Sequence, residues 1–162
     1  TPHDLTWREG RVLAEARPVR VERAATHFEW TGDAETLDLG SDIDVVLMRQ
    51  DPPFDMAYIT ATHLLELAQR QGCLVVNDPR EVRNAPEKMF VLDFARFMPP
   101  TMVTRRLSDA ADFRSVHDEI VVKPLYGNAG SAVFHIGKGD ANLAALVELF
   151  GHVWREPFMV QA

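Results

Sequence analysis

IDVVLMRQDPPFDMAYITATHLLELAQRQGCLVVN, residues 43–77, changes texture three times. IDVVLMR, 43–49, is a continuous apolar run and reads as a buried strand. DPPF then breaks it, because proline has no amide hydrogen to extend a ladder. Asp55 stands where its carboxylate can accept from the free amides of a first helical turn. The spacing predicts a helix from there to about Gln71, with Ile59, Leu64 and Leu67 on one face and Gly72 as its stop. CLVVN, 73–77, reads as a second buried strand with Cys73 a small buried hydrophobe, and NDP, 77–79, as a turn. Strand, helix, strand is the pattern of a parallel α/β unit.

On the N-terminal side, GRVLAEARPVRVER, 10–23, alternates apolar and polar residues around Pro18, which predicts a β-ribbon. Beyond Pro79 the pattern differs. A helix is expected around 85–94, a strand in MPPTMVT (98–104), and a helix near 109–117 capped by Ser108. Strands follow in EIVVKP (119–124) and SAVFHI (131–136), then a helix in DANLAALVELF (140–150) and a strand in EPFMVQ (156–161). Strands and helices joined by short connections read as a second, α+β unit, with the boundary near Asn84.

The chain has 162 residues, 46% of them hydrophobic and 25% charged, a globular composition. Its net charge of -7 repels phosphodiester backbones, so nucleic acid is not an expected partner. No apolar run approaches the roughly 20 residues that cross a bilayer, so no membrane is expected either. A lone cysteine excludes a disulfide framework and suits the reducing cytoplasm. The histidines at 3, 27, 63, 117, 135 and 152 show no paired ligand spacing, and His63 reads as a core histidine on the apolar helix face. Trp7, Trp30 and Trp154 read as structural. Thr1 is not an initiator methionine and no closing element follows the last strand, so a piece of a longer protein is expected.

Two stretches have the residue types for chemistry. In VVKPLYGNAGSAVF, 121–134, Lys123 ends an apolar strand, and Gly127 and Gly130 permit close backbone approach to a phosphate. Neither a Walker pattern nor G-x-G-x-x-G is present, so a glycine hairpin between two strands remains the alternative. The chain uses 14 arginines against three lysines, Lys88, Lys123 and Lys138. A lysine retained on such a background marks a place that needs a compact ammonium, and Lys88 with Lys123 suit one polyphosphate. Lys138, in the turn GKGD, reads as solvated surface. The second stretch is MRQDPPFD, 48–55, which follows a strand end, where ligands bind in α/β folds. Arg49 suits a carboxylate and Asp51 an amine; a stiff Pro-Pro turn is the alternative.

VVLMRQDPPFDMAYITATHLLE, VVNDPREVRNAPEKMF and IVVKPLYGNAGSAVF together resemble the prokaryotic glutathione synthetases, over essentially the whole chain. The resemblance implies a partial N-terminal parallel-sheet substrate domain, 1–84, followed by the first α+β half of an ATP-grasp domain, 85–162. It implies ligation of γ-glutamylcysteine with glycine, using ATP and Mg2+, through an acyl phosphate, in a protein expected to form homo-oligomers. Matched position by position, Lys88 and Lys123 stand at the family's nucleotide-phosphate lysines. Gly127, Asn128, Gly130 and Ser131 lie in its flexible loop. Met159, Val160 and Gln161 border adenine, and Arg49 and Asp51 fall on the substrate side. The catalytic and magnesium-binding residues are expected beyond Ala162, and the family's opening strand and helix before Thr1. On that expectation the 162 residues by themselves are inactive. The alternatives are another ATP-grasp carboxylate–amine ligase and a non-catalytic nucleotide-binding or structural fragment. One departure concerns the loop, which in the family reads close to GNGGAG. Here Ala129 and Ala132 replace glycines, at a cost of about 1 kcal/mol wherever a positive φ is required.

Overall fold

The computed structural model describes residues 1–23, 27–127, 129–153 and 155–162. Two compact units divide the chain, Thr1–Asn84 and Ala85–Ala162.

In the first unit, a 3-10 turn over Pro2–Asp4 leads into β1 (Leu5–Arg8) and β2 (Arg11–Ala16). Glu9 and Gly10 join these strands with φ of 51° and 86°, the double positive φ that a tight two-residue hairpin needs. β3 (Val19–Val21) and β4 (Phe28–Trp30) form a separate antiparallel ribbon, and β5 (Glu35–Asp38) pairs with β2. The ribbon expected over 10–23 is thus two strands of two different sheets, divided at Pro18. Trp7 and Trp30 are half-exposed; Trp154 lies outside the described residues.

β6 (Val45–Leu47) and β7 (Leu74–Val76) pair in parallel, joined by α1 (Met56–Arg70), as the strand–helix–strand reading requires. Their burial differs from expectation. Val46 and Val75 face a core that includes Val12, Met48, Leu65, Ala68 and Cys73. Val45, Leu47, Leu74 and Val76 are between 42% and 67% exposed. Neighbouring residues of a strand point to opposite faces, and this core covers one face only.

α1 begins as expected. The Asp55 carboxylate accepts from the Tyr58 amide at 2.9 Å, and Gly72 follows the helix with φ +110°. The buried stripe is Ala61, Thr62, Leu65 and Ala68, while Leu64 and Leu67 flank it and Ile59 is half-buried. Two alanines in the stripe leave no bulk between the helix and the strands, which ranking by large side chains overlooks. His63 is exposed, a correction to its reading as a core residue, because it sits about 200° around the helix from Ala61.

α2 (Pro79–Asn84) starts at Asp78, whose Oδ1 accepts from the Arg80 and Glu81 amides at 2.9 and 3.0 Å. Arg83 then ties α2 to α1. It donates to Thr62 Oγ1 at 3.2 Å and to Glu66 Oε2 at 2.8 Å, while Arg70 donates to Glu66 Oε1 at 2.7 Å.

In the second unit, α3 (Glu87–Phe90) runs into a 3-10 segment over Val91–Phe97, where one helix is expected from the sequence. β8 (Thr101–Thr104), α4 (Leu107–His117), β9 (Ile120–Pro124), β10 (Phe134–Ile136), α5 (Leu143–Val153) and β11 (Phe158–Gln161) follow. The four strands form one antiparallel sheet in the order β10-β9-β11-β8. Ser108 lies inside the first turn of α4 and does not cap it. Thr104 Oγ1 instead accepts from the Arg106 amide at 3.1 Å and donates to Asp109 at 2.6 Å. One sheet face buries Ile120, Val122, Ile136, Phe158 and Val160 with Leu143, Leu146, Val147 and Phe150 of α5 and Ala110 of α4. Among the described residues, no helix is long and apolar enough to cross a membrane.

Hydrogen bonds from Arg83, then Arg70, hold the Glu66 carboxyl below its ordinary value of 4.5. A depressed folded value supplies stability above the unfolded value, and that stability is lost as pH falls through the folded one. The melting temperature of the chain is therefore expected to drop more steeply below pH 4.5 than that of Glu66→Gln. Parallel acid-melting curves for the two would refute the assignment.

Candidate functional site

The face of the second sheet opposite its core is where the predicted polar residues gather. Register places Lys123 opposite Met159, and Gln161 opposite both Val121 and Thr101. Directly paired residues share a face, as do residues two apart, so Lys123, Gln161 and Thr101 project together. Lys123 Nζ donates to Gln161 Oε1 at 2.5 Å, and Gln161 Nε2 donates to Thr101 Oγ1 at 2.9 Å.

Lys88 reaches the same region from α3. Its ammonium donates to the backbone oxygens of Gly127 at 2.5 Å and Leu125 at 3.4 Å, just beyond the end of β9. Burial lowers its pKa from the ordinary lysine value; Glu87 opposes this shift, and the nearby Lys123 charge adds to it. Two ammonium groups that feel each other, bonded among the described residues to neutral oxygens, carry charge that would attract an anion. Lys138, by contrast, is exposed and pairs with Asp118 at 2.8 Å, in keeping with its reading as surface.

Gly127 opens the loop between β9 and β10. A Cβ there would lie 2.8 Å from Pro124 Cγ and 3.4 Å from the Ser131 carbonyl, so the turn is too tight for a side chain. Gly130 takes φ +74°, and Ala129 and Ala132 take φ 51° and 55°. Both alanines thus occupy left-handed backbone, where their Cβ is crowded. Gly130 and Ser131 are exposed, and Asn128 lies outside the described residues. Met159 is buried, and Val160 packs into the core on the other face. Only the backbone of Val160 is left to touch a ligand.

The remaining predicted pair belongs to the first unit. Arg49 is exposed and lines an open cleft of about 280 Å³ with Met48, Gln50, Leu5 and Leu65. Asp51 is exposed and adds, after burial, to the raised pKa of Tyr58. Neither Arg49 nor Asp51 makes a side-chain hydrogen bond or ion pair among the described residues. Among those residues no group of three or more His, Cys, Asp or Glu converges as a metal site.

Thr101 is the member that sequence reading overlooks. The alternation of TMVT does separate Thr101 and Val103 from Met102 and Thr104. That Thr101 stands beside Gln161, however, depends on β8 pairing with β11, 60 residues away in sequence.

The prokaryotic glutathione synthetase N-terminal domain pattern matches residues 1–83, and the ATP-grasp domain pattern of the same family matches residues 87–162. A glutathione synthetase of Mesorhizobium japonicum is 49% identical over 162 residues, which are 99% of this chain and 51% of that protein. The glutathione synthetase of Agrobacterium fabrum is 47% identical over 99% of this chain and 50% of its own length. The chain thus spans about half the length of these relatives. Among solved structures, D-cycloserine synthetase DcsG superposes with a TM-score of 0.60 at 18% identity, covering 77% of this chain and 45% of that one. D-alanyl-alanine synthetase A from Vibrio cholerae superposes at 0.56 and 16% identity, covering 97% and 48%. Both share the fold.

The loop geometry carries its own test. Glycine at 129 or 132 removes left-handed crowding of about 1–2 kcal/mol per residue and loosens the unfolded chain by about 0.4–1 kcal/mol. The double variant Ala129→Gly, Ala132→Gly is expected to melt above the native chain, and Gly127→Ala below it. A double variant that melts below the native chain would contradict the loop geometry.

Proposed function

The chain belongs to the prokaryotic glutathione synthetase family, and on that premise we propose that the whole protein is an ATP-dependent ligase joining γ-glutamylcysteine to glycine. In this reading residues 1–84 form part of the substrate domain and 85–162 the first half of the ATP-grasp domain. The dipeptide carboxylate takes the terminal phosphoryl group of ATP, giving an acyl phosphate and ADP. The glycine amine then attacks the acyl carbon, phosphate leaves, and the amine proton passes to solvent or base. The observation that carries the proposal is the meeting of Lys88, Lys123 and Gln161 at the loop end of the second sheet.

Each residue has a task that follows from its chemistry. Lys88 and Lys123 supply point charges to phosphate oxygens. Gly127, Asn128, Gly130 and Ser131 form the loop over the phosphates, and the missing Cβ of Gly127 lets the backbone turn closely. Met159, buried in this structure, is assigned to the side of the base, with Val160 acting through its backbone and Gln161 through its amide. Arg49 is assigned to a substrate carboxylate and Asp51 to a substrate amine. Bound Mg2+ would neutralise the transferring phosphoryl group; the described residues do not assemble a site for it. The reading includes a homo-oligomeric protein in the cytoplasm, the latter supported by the single, buried Cys73.

Three outcomes are expected. The 162 residues alone should form no glutathione from ATP, γ-glutamylcysteine and glycine; ADP and glutathione above a no-protein blank would overturn this. In the protein with its complete ATP-grasp domain, Lys123→Ala should remove a charged hydrogen bond worth about 1.5–3 kcal/mol, which is about 10- to 150-fold in ATP affinity. Lys138→Ala should leave the titration unchanged, so coincident curves for the two variants would reject the phosphate assignment. Because burial lowers the Lys88 pKa, it sheds its proton below the ordinary lysine value of 10.5, and ATP affinity should fall as pH rises through the lowered value. Lys88→Arg keeps its charge throughout and should flatten that fall.

A further inference from the structure

We propose that Thr101 is a positioning residue for Lys123, acting through the side-chain amide of Gln161. The proposal rests on the nucleotide reading of this sheet face for its functional consequence but not for its geometry.

Thr101 Oγ1 lies 2.7 Å from the Pro99 carbonyl oxygen, which can only accept. The hydroxyl hydrogen is therefore committed to Pro99, and toward Gln161 the hydroxyl can only accept. Gln161 must present its NH2 group to Thr101, as the 2.9 Å contact has it, and this turns Oε1 toward Lys123 Nζ at 2.5 Å. Flipping the amide would set NH2 against an ammonium and a carbonyl against a hydroxyl with no hydrogen to give. Both contacts would be lost together, so the amide has one stable orientation. Pro99, Thr101, Gln161 and Lys123 form a directional chain that ends in an ammonium held by a neutral acceptor.

The consequence is preorganisation. A lysine side chain has many rotamers, and part of that freedom must be lost when it binds a phosphate. Lys123 meets part of that cost before ligand arrives. A neutral amide suits the purpose, because a carboxylate there would neutralise the charge intended for the polyphosphate. The local backbone is held by more than the hydroxyl's bond to Pro99. Thr101 pairs with Gln161 through the strand ladder, and the Ala162 amide bonds the Pro100 oxygen at 3.1 Å.

The test compares Thr101→Val, nearly the same shape without the acceptor, with Thr101→Ser, which retains it. Lysine-selective 15N NMR on the full protein reads how fast the Lys123 NH3+ protons exchange with water, with Lys123→Arg assigning the signal. Exchange should be slow in the native protein and in Thr101→Ser, and several-fold faster in Thr101→Val. Thr101→Val should add nothing in a Gln161→Leu background, an outcome that a merely structural threonine would not produce. In the native protein the Gln161 NH2 protons should also be protected, which needs no variant to fold. Unchanged Lys123 exchange in Thr101→Val, or unprotected Gln161 protons, would overturn the proposal. An ADP titration separates the two readings. Loss of one neutral hydrogen bond predicts about 3- to 10-fold weaker ADP binding in Thr101→Val. If Lys123→Ala weakens ADP binding and Thr101→Val does not, the positioning role fails. If neither ADP nor Lys123→Ala has any effect while the NMR results hold, the nucleotide reading fails and the Thr101 chain stands.

Discussion

Burial of Ile120, Val122, Phe158 and Val160 against α5 is the interaction on which the second unit depends. Each fully buried side chain of this size contributes about 1.5–3 kcal/mol, and four of them act together here. Strand geometry makes the rest follow. Once the even-numbered residues of β9 and β11 face the core, Lys123, Met159 and Gln161 must face the other way. A slip of one residue between these strands would bury the lysine and expose the valines, so the core enforces the register of the site.

On this scaffold the charged groups are used sparingly. Lys88 and Lys123 bond neutral oxygens, whereas Asp109 pairs with Arg106 and Asp118 with Lys138. Cations neutralised by carboxylates would have little field left for a polyphosphate. The loop beside the lysines shows the opposite economy, with two alanines held in backbone that glycine adopts without crowding. Strain of this kind persists only where surrounding structure overdetermines the conformation. Here the overdetermining elements are the β9–β10 pairing on either side and the close approach of Gly127 to Pro124.

The first unit rests on a different balance. A parallel pair joined by a helix ordinarily lies under cover on both faces, yet β6 and β7 turn only the partly buried Val46 and the buried Val75 to the core and expose the other four apolar residues. Its core joins Val12, Leu39, Met48 and Val75 to the small-residue stripe of α1, and Arg83 clamps α1 to α2. Arg49 stands where β6 ends, beside the cleft, as the geometry of α/β sheets suggests for ligand-contacting residues.

The sequence by itself determined the strand–helix–strand order of 43–77 and most of the strands and helices of 98–161. The apolar runs of 43–49 and 73–77, the Asp55 cap and the Gly72 stop specify a strand–helix–strand unit through local chemistry alone. The scarcity of lysine singled out Lys88 and Lys123 before any fold was known, and the quoted motifs pointed to the family. Tertiary structure decided what lies between segments distant in the chain. Whether a strand is covered on one face or two depends on what packs against it, so the exposure of Val45 and Leu47 is not written in their own hydrophobicity. His63 reads as apolar-face by spacing and turns outward because the buried stripe is built on alanines. Thr101 has no signature at all. Its role arises because β8 lies against β11 and its only proton already belongs to Pro99, and strand adjacency is a property of the folded sheet rather than of either strand.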